Sequence, residues 1–199
     1  MMRKAAIVIL IAAFMIGCGS AHTRRYFQIK TIAAEDPAVP KVERRVLVEP
    51  ASVDPLYDDI RILYRVSPFE VKYYPYEFWA EKPGKLVADA MAEFLEKKKA
   101  FPAVGRGVAG LAKEEPDLLL RSHVRVIEEI DSPNAWQARL AMDLEFVDFK
   151  TGKALASASF DRKEPMARQV GDLAAVASLI LDDELGKAVW ALARALEKK

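Results

Sequence analysis

Apolar positions follow three regimes along the 199-residue chain. From Ala5 to Ile16 they are continuous, and from Arg45 onward they alternate with polar ones. Val46, Leu47 and Val48 form a short run stopped by Pro50, while Ile60, Ile62, Tyr64 and Val66 alternate with Arg61, Leu63 and Arg65, the period of a half-buried strand. Ser67 and Pro68 predict a turn. Phe69 to Tyr74 then predicts the returning arm of a hairpin, ended by Pro75, which has no N–H for a ladder and belongs at an edge or a bulge. The third regime is helical: after Pro83 and Gly84, the residues Leu86, Val87, Ala90, Met91, Phe94 and Leu95 fall on one stripe. Lys97, Lys98 and Lys99 close that helix against the negative end of its dipole, as a solvated last turn.

Alternation returns after Pro116. Leu118, Leu120, Val124, Val126 and Ile130 share one parity, with Arg121, His123, Arg125 and Glu129 on the other, and Asp131, Ser132, Pro133 and Asn134 supply a turn. Trp136, Ala138, Leu140, Met142, Leu144 and Phe146 repeat the pattern. A second turn at Lys150 to Lys153 leads to Ala154, Ala156, Ala158 and Phe160, which complete an antiparallel meander with one wet face. Asp172, a good cap residue, opens a long helical stretch to about Glu197, with Ala177, Leu181, Leu185, Ala188, Leu192 and Leu196 toward the core. The expected fold is α+β and two-layered: an antiparallel sheet with two main helices packed on one face.

The continuous apolar run is too short to cross a bilayer as a helix, which takes roughly 20 residues. Behind Arg3 and Lys4 it fits a signal peptide. Met15, Ile16, Gly17 and Cys18 resemble a lipobox, in which the cysteine is acylated and becomes the new N-terminus. The expected organisation is a cleaved signal over residues 1–17, a lipidated tether over 18–40 with room for one edge strand around Tyr26 to Ile32, and a single domain over 41–199. Cys18 is the only cysteine, so no internal disulfide is available and the fold rests on its apolar core. The lipobox resemblance implies palmitate-type acylation, and Gly19, where lipoproteins held at the inner membrane carry Asp, implies the periplasmic face of the outer membrane. The formal net charge is +1, and loss of Arg3 and Lys4 leaves the body close to neutral. Such a body offers no broad phosphate-neutralising surface, which disfavours nucleic acid as a partner.

Residues for catalysis are sparse. His22 lies in the tether and His123 on the wet parity of a strand, so no zinc or nucleophile constellation is expected. Gly105, Arg106, Gly107 and Gly110 lack the Lys and Ser/Thr of a phosphate loop. Glu128 and Glu129 fall on opposite strand faces and cannot act on one substrate. The expectation is a non-enzyme with no catalytic residues, no metal and no cofactor.

The unusual segment runs Tyr73, Tyr74, Pro75, Tyr76, Glu77, Phe78, Trp79. Its aromatics exceed what one edge strand buries; part of them can cover the core, and the rest can present a half-wet contact surface. Tyr74, Tyr76, Phe78 and Trp79 are candidate partner contacts. So is Trp190, which falls with Asp183, Lys187 and Arg194 away from the leucine stripe of the last helix.

With Cys18, the hairpin Ile60 to Tyr74, Trp79 and the leucine-spaced helix Leu86 to Leu95, the chain resembles the ABC-type transport auxiliary lipoproteins related to the paraquat-inducible lipoprotein C. The resemblance implies a non-catalytic adaptor at the outer membrane. Its partners would be an ABC transporter complex and a periplasmic mammalian-cell-entry (MCE) domain protein that moves lipids or solvents, and a homo-oligomer is compatible with it. The rival reading is a periplasmic carrier holding an acyl chain between sheet and helices.

Overall fold

The computed structural model describes residues 23–32, 39–107, 115–133 and 135–198. Cys18 and the signal, His22, Pro37, Gly110 and Asn134 therefore lie outside the described residues. In chain order the described elements are β1 (Arg25–Phe27), β2 (Val46–Val48), β3 (Ser52–Val53), β4 (Arg61–Ser67), β5 (Glu70–Trp79), α1 (Pro83–Lys97), β6 (Val104–Arg106), β7 (Leu118–Ser132), β8 (Ala135–Asp148), β9 (Ala154–Pro165) and α2 (Val170–Glu197).

The long strand β7 organises one continuous open sheet. Along one edge it pairs antiparallel with β8, which pairs antiparallel with β9. Along the other edge three short strands succeed one another, all parallel to β7: β2 at Leu118 to Leu120, β3 at His123 and Val124, and β4 at Glu129 and Ile130. The sheet is thus mixed rather than purely antiparallel, while the fold is α+β as expected. Alternation reveals which residues are half-buried but not the direction of a neighbour, so the parallel pairings left no trace in the pattern. β1 takes the outer edge beside β5, and the following residues dock on α2: the Lys30 amide donates to Ser178 Oγ (3.1 Å) and the Ile32 amide to Asp182 Oδ2 (2.8 Å). Residues 25–32 therefore belong to the folded body.

Two irregularities revise the strand boundaries. β5 runs on through Pro75 to Trp79, because a single residue of β4, Ile62, opposes the four residues 74–77 of β5 between the pairs Leu63/Tyr73 and Arg61/Phe78. Pro75 sits in this bulge, where a missing donor costs no ladder bond. In β7, Arg125 is an extra residue between Val124 and Val126, which reverses the side-chain parity beyond it.

Both helices lie on one face. Leu86, Val87, Ala90, Met91, Phe94 and Leu95 of α1 and Leu173, Ala177, Leu181, Leu185, Ala188 and Leu192 of α2 are buried. They meet Ala138, Leu140, Met142, Leu144 and Phe146 of β8 in a single core. α1 begins with Pro at its first position, where the absent N–H is no loss. α2 begins at Val170 with Gln169 as its N-cap, three residues before the sequence suggested: Asp172 is not the cap but lies in the first turn and accepts from the Ala167 amide (3.2 Å).

Candidate functional site

The aromatic segment is divided by strand alternation and by the Pro75 bulge into residues with different work. Tyr73 points to the helix-free face, donates to the Leu56 carbonyl (3.1 Å) and lies beneath the Arg61 guanidinium at 4.2 Å. Tyr74 points to the opposite face, packs on Tyr64 with ring centroids 4.5 Å apart, and donates to Glu129 Oε1 (2.7 Å). Phe78 stacks on Tyr26 of the edge strand at 5.6 Å, and the Arg24 guanidinium lies over its ring at 5.7 Å. Trp79 is only 2 % exposed and belongs to the core. It therefore presents no ring to a partner, contrary to its reading as a contact: its backbone is paired with Phe27 of β1 and bonded to the Ile60 carbonyl, and its ring is in the core cluster. Tyr76 is 40 % exposed and Trp190 49 %. Trp190 shares the solvent face of α2 with Asp183, Lys187 and Arg194, as its helical position indicates. The candidates thus form no single cluster: Tyr26, Tyr76 and Phe78 lie at the β1/β5 edge, and Trp190 on the outer face of α2.

The helix-free face of the sheet is more elaborate than a wet surface. It carries a ladder of ion pairs, Arg121 with Glu49 (3.0 Å), Arg125 with Asp143 (3.1 Å) and Arg139 with Asp161 (2.7 Å). Residues Asp54 to Tyr57 cross this face, and beneath them Glu128 is fully buried. Its carboxylate accepts from Tyr57 Oη (2.8 Å), Arg65 Nε (3.0 Å) and Arg139 Nη1 (3.2 Å). Burial first, and the bond to the Glu128 carboxylate second, push the Tyr57 phenol up to about 12. The Arg139 guanidinium holds Asp161 below the usual carboxylate range.

Glu129, the next residue, is also fully buried, on the other face. Tyr74 is its only hydrogen-bond donor among the described residues, and its Oε2 has no partner there. Burial raises its pKa, opposed by the Tyr74 bond. The alternation pattern placed Glu129 on the wet parity; the Arg125 bulge turns it inward. Nothing in the linear pattern announces a bulge at an arginine.

His123 also departs from expectation. It is not simply solvated: Nδ1 lies 2.8 Å from Ser52 Oγ, and Nε2 2.8 Å from Asp54 Oδ1. Serine, histidine and aspartate are the residue types of a nucleophile, a base and its orienting acid. Here Ser52 and His123, but not Asp54, border a groove of about 480 Å³ with Arg121, Asp143 and Glu145. The chain of hydrogen bonds joins the two-residue strand β3 to β7, so it supplements a ladder too short to hold alone. Ser52 and Asp54 lie about seventy positions from His123, and only the parallel pairing of β3 brings them together. No group of three His, Cys, Asp or Glu side chains suited to a metal occurs among the described residues.

The family model for the ABC-type transport auxiliary lipoprotein component matches residues 27–185, and the chain belongs to that family. No curated protein matches the sequence. A crystal structure from Xanthomonas campestris assigned to the DUF330 family superposes with a TM-score of 0.73 at 21% identity, covering 87% of this chain and 98% of that one. The PelC dodecamer of Paraburkholderia phytofirmans gives 0.50 at 15% identity, covering 75% of this chain and 93% of that one. At these identities the likeness is one of fold. The family is a transport auxiliary and a lipoprotein family rather than an enzyme family. Among the described residues no helix is long and apolar enough to cross a membrane.

Proposed function

We propose that the chain is a non-catalytic adaptor, held by acylated Cys18 at the periplasmic face of the outer membrane, that docks an MCE-domain protein of an ABC-type lipid or solvent transport system. In this reading residues 1–17 are removed, a short tether runs from Cys18 to β1, and the rest is one docking domain. Membership of the transport auxiliary family supports the transporter association. The observation that favours an adaptor over a carrier is the packing between the layers. Leu140, Met142, Leu144 and Phe146 of the sheet and Met91, Leu95, Leu173 and Leu185 of the helices leave at most 1% of their surface accessible, so side chains fill the space an acyl chain would need. Contact falls instead to exposed aromatics, Trp190 on α2 and Tyr76 at the β5 edge, where Phe78 is half-buried beside it. A second copy of the chain is a further partner compatible with the dodecameric fold relative.

The test is capture of the purified MCE-domain protein by the lipidated chain. Trp190→Ala is expected to weaken capture about tenfold or more, in the range of an interfacial aromatic, while the melting temperature stays nearly unchanged. Full capture with a large stability loss would make Trp190 an ordinary structural residue and remove that contact.

A further inference from the structure

Two hairpin tips lie side by side at one end of the sheet. β4 and β7 are parallel, with Tyr64 beside Glu129 and Arg65 beside Ile130, so the β4/β5 turn at Ser67 to Glu70 adjoins the β7/β8 turn that follows Ser132. Phe69 stands at the first tip and is 99 % exposed, next to Pro68 and near exposed Pro133. A phenyl ring held out by a hairpin, with nothing of its own chain against it, exposes apolar area that a covering phase would remove from water. Just behind the tip is a groove of about 450 Å³ with Val66 and Ile130 in its wall and Arg65, Arg139 and Lys163 around it. Arg65 and Arg139 share Glu128, whereas Lys163 makes no ion pair among the described residues. Arg65 lies two residues below Ser67, roughly 7 Å at the rise of a strand. An aromatic tip with cations about that far behind it matches the depth profile of a bilayer interface, ring at the acyl boundary and ammonium at the phosphates.

The direction of the chain says which surface is near. β1 is parallel to β5, with Arg25 beside Glu77, so the chain that precedes Arg25 enters from the end where Phe69 lies. Glu77 lies seven positions after Glu70, and Arg25 seven positions after Cys18. At about 3.3–3.6 Å each, the tether is long enough to return to the level of the hairpin tip.

We propose that this end of the domain is its membrane-facing end, with Phe69 seated in the interfacial layer of the phospholipid bilayer that anchors the chain and Lys163 at its phosphates. The inference rests on the anchoring of Cys18 and adds an orientation: the domain stands on the bilayer with its two hairpins down, leaving the outer face of α2 and Trp190 free for a partner protein.

The experiment uses the full-length lipidated chain in phosphatidylcholine vesicles. Phe69→Trp adds a fluorophore at an exposed position, the parent chain supplies the baseline of its native tryptophans, and flotation reports anchoring. The expected result is flotation of both chains, with the added emission blue-shifted and lost when the lipids carry bromines at shallow acyl positions. Flotation with added emission that is red and unquenched, or that shifts only as the chain self-associates, would overturn the orientation and leave anchoring intact. Failure of both chains to float would overturn the anchoring and the orientation together.

Discussion

Replacing Glu128 by Gln is the sharpest perturbation of the fold's helix-free face. The carboxylate is fully buried and joins three elements: Tyr57 of the crossing segment, Arg65 of β4 and Arg139 of β8. The Gln amide keeps the volume and one acceptor but leaves two guanidinium groups without their shared counter-charge. Breaking a buried pair from one side costs about 3–5 kcal/mol. Arg65 and Arg139 retain 22% and 24% side-chain exposure, and Arg139 keeps Asp161, so water and the second carboxylate recover part of that loss. The lower end, about 3 kcal/mol, is expected. For a domain of this size each kcal/mol moves Tm by roughly 2–4 °C, so thermal unfolding by circular dichroism should shift down by about 6–12 °C. Tyr57→Phe removes only one bond to the charged group and should cost roughly 1.5 kcal/mol. In the double variant the two losses should be less than additive, because both act on one node. A Glu128→Gln chain melting within about 1 °C of the parent would refute the claim that this node holds the crossing segment to the sheet. Full additivity would show that Tyr57 acts elsewhere.

Two further substitutions probe the geometry. Gly84→Ala should destabilise the chain by about 1–3 kcal/mol although Ala is the better helix former by about 1 kcal/mol, since its Cβ would come to 2.4 Å from the Ala51 carbonyl oxygen; a rise in Tm would show that the backbone yields freely there. Glu129 has a pKa raised above its unfolded value by burial, so the stability that goes with its protonated form is complete below the unfolded pKa and is lost as pH rises through the folded one. Denaturant unfolding of parent and Glu129→Gln should therefore converge at acid pH, and the parent should lose ground to the variant as pH rises toward neutrality. A constant difference across that range would refute the buried-acid reading.

The sequence made the layers legible and the connections between them illegible. Leu86 to Leu95 and Ala177 to Leu192 announced both core-facing stripes, and Ala138 to Phe146 announced the core side of β8, because a strand or helix that buries one face records it in a period of two or 3.6. Pro75 marks an edge or a bulge in the sequence, yet the strand does not end there, since a bulge admits a proline without breaking the element around it. Parallel pairing of β2, β3 and β4 with β7 left no mark, and with it went the contact of His123 with Ser52 and Asp54. The inward turn of Glu129 depends on one extra residue at Arg125, and the burial of Glu128 depends on Tyr57 arriving from seventy-one positions away. Of the candidate contacts, Trp190 could be placed on the solvent face from helical spacing alone. Trp79 could not be assigned to the core, because the bulge around Pro75 shifts the parity on which such an assignment relies. Phe69 carried no signal at all, since an isolated aromatic in a turn reads like any other end of a strand.

The central claim is that this domain connects an anchored lipoprotein to a transport partner without carrying lipid itself. Native mass spectrometry of the lipidated chain, released gently from its envelope with bound components retained, tests it most directly. The account predicts a complex with an MCE-domain protein in which the domain holds no phospholipid beyond the acyl groups on Cys18. A chain recovered without that protein and with stoichiometric phospholipid inside it would contradict the account and establish a carrier in its place.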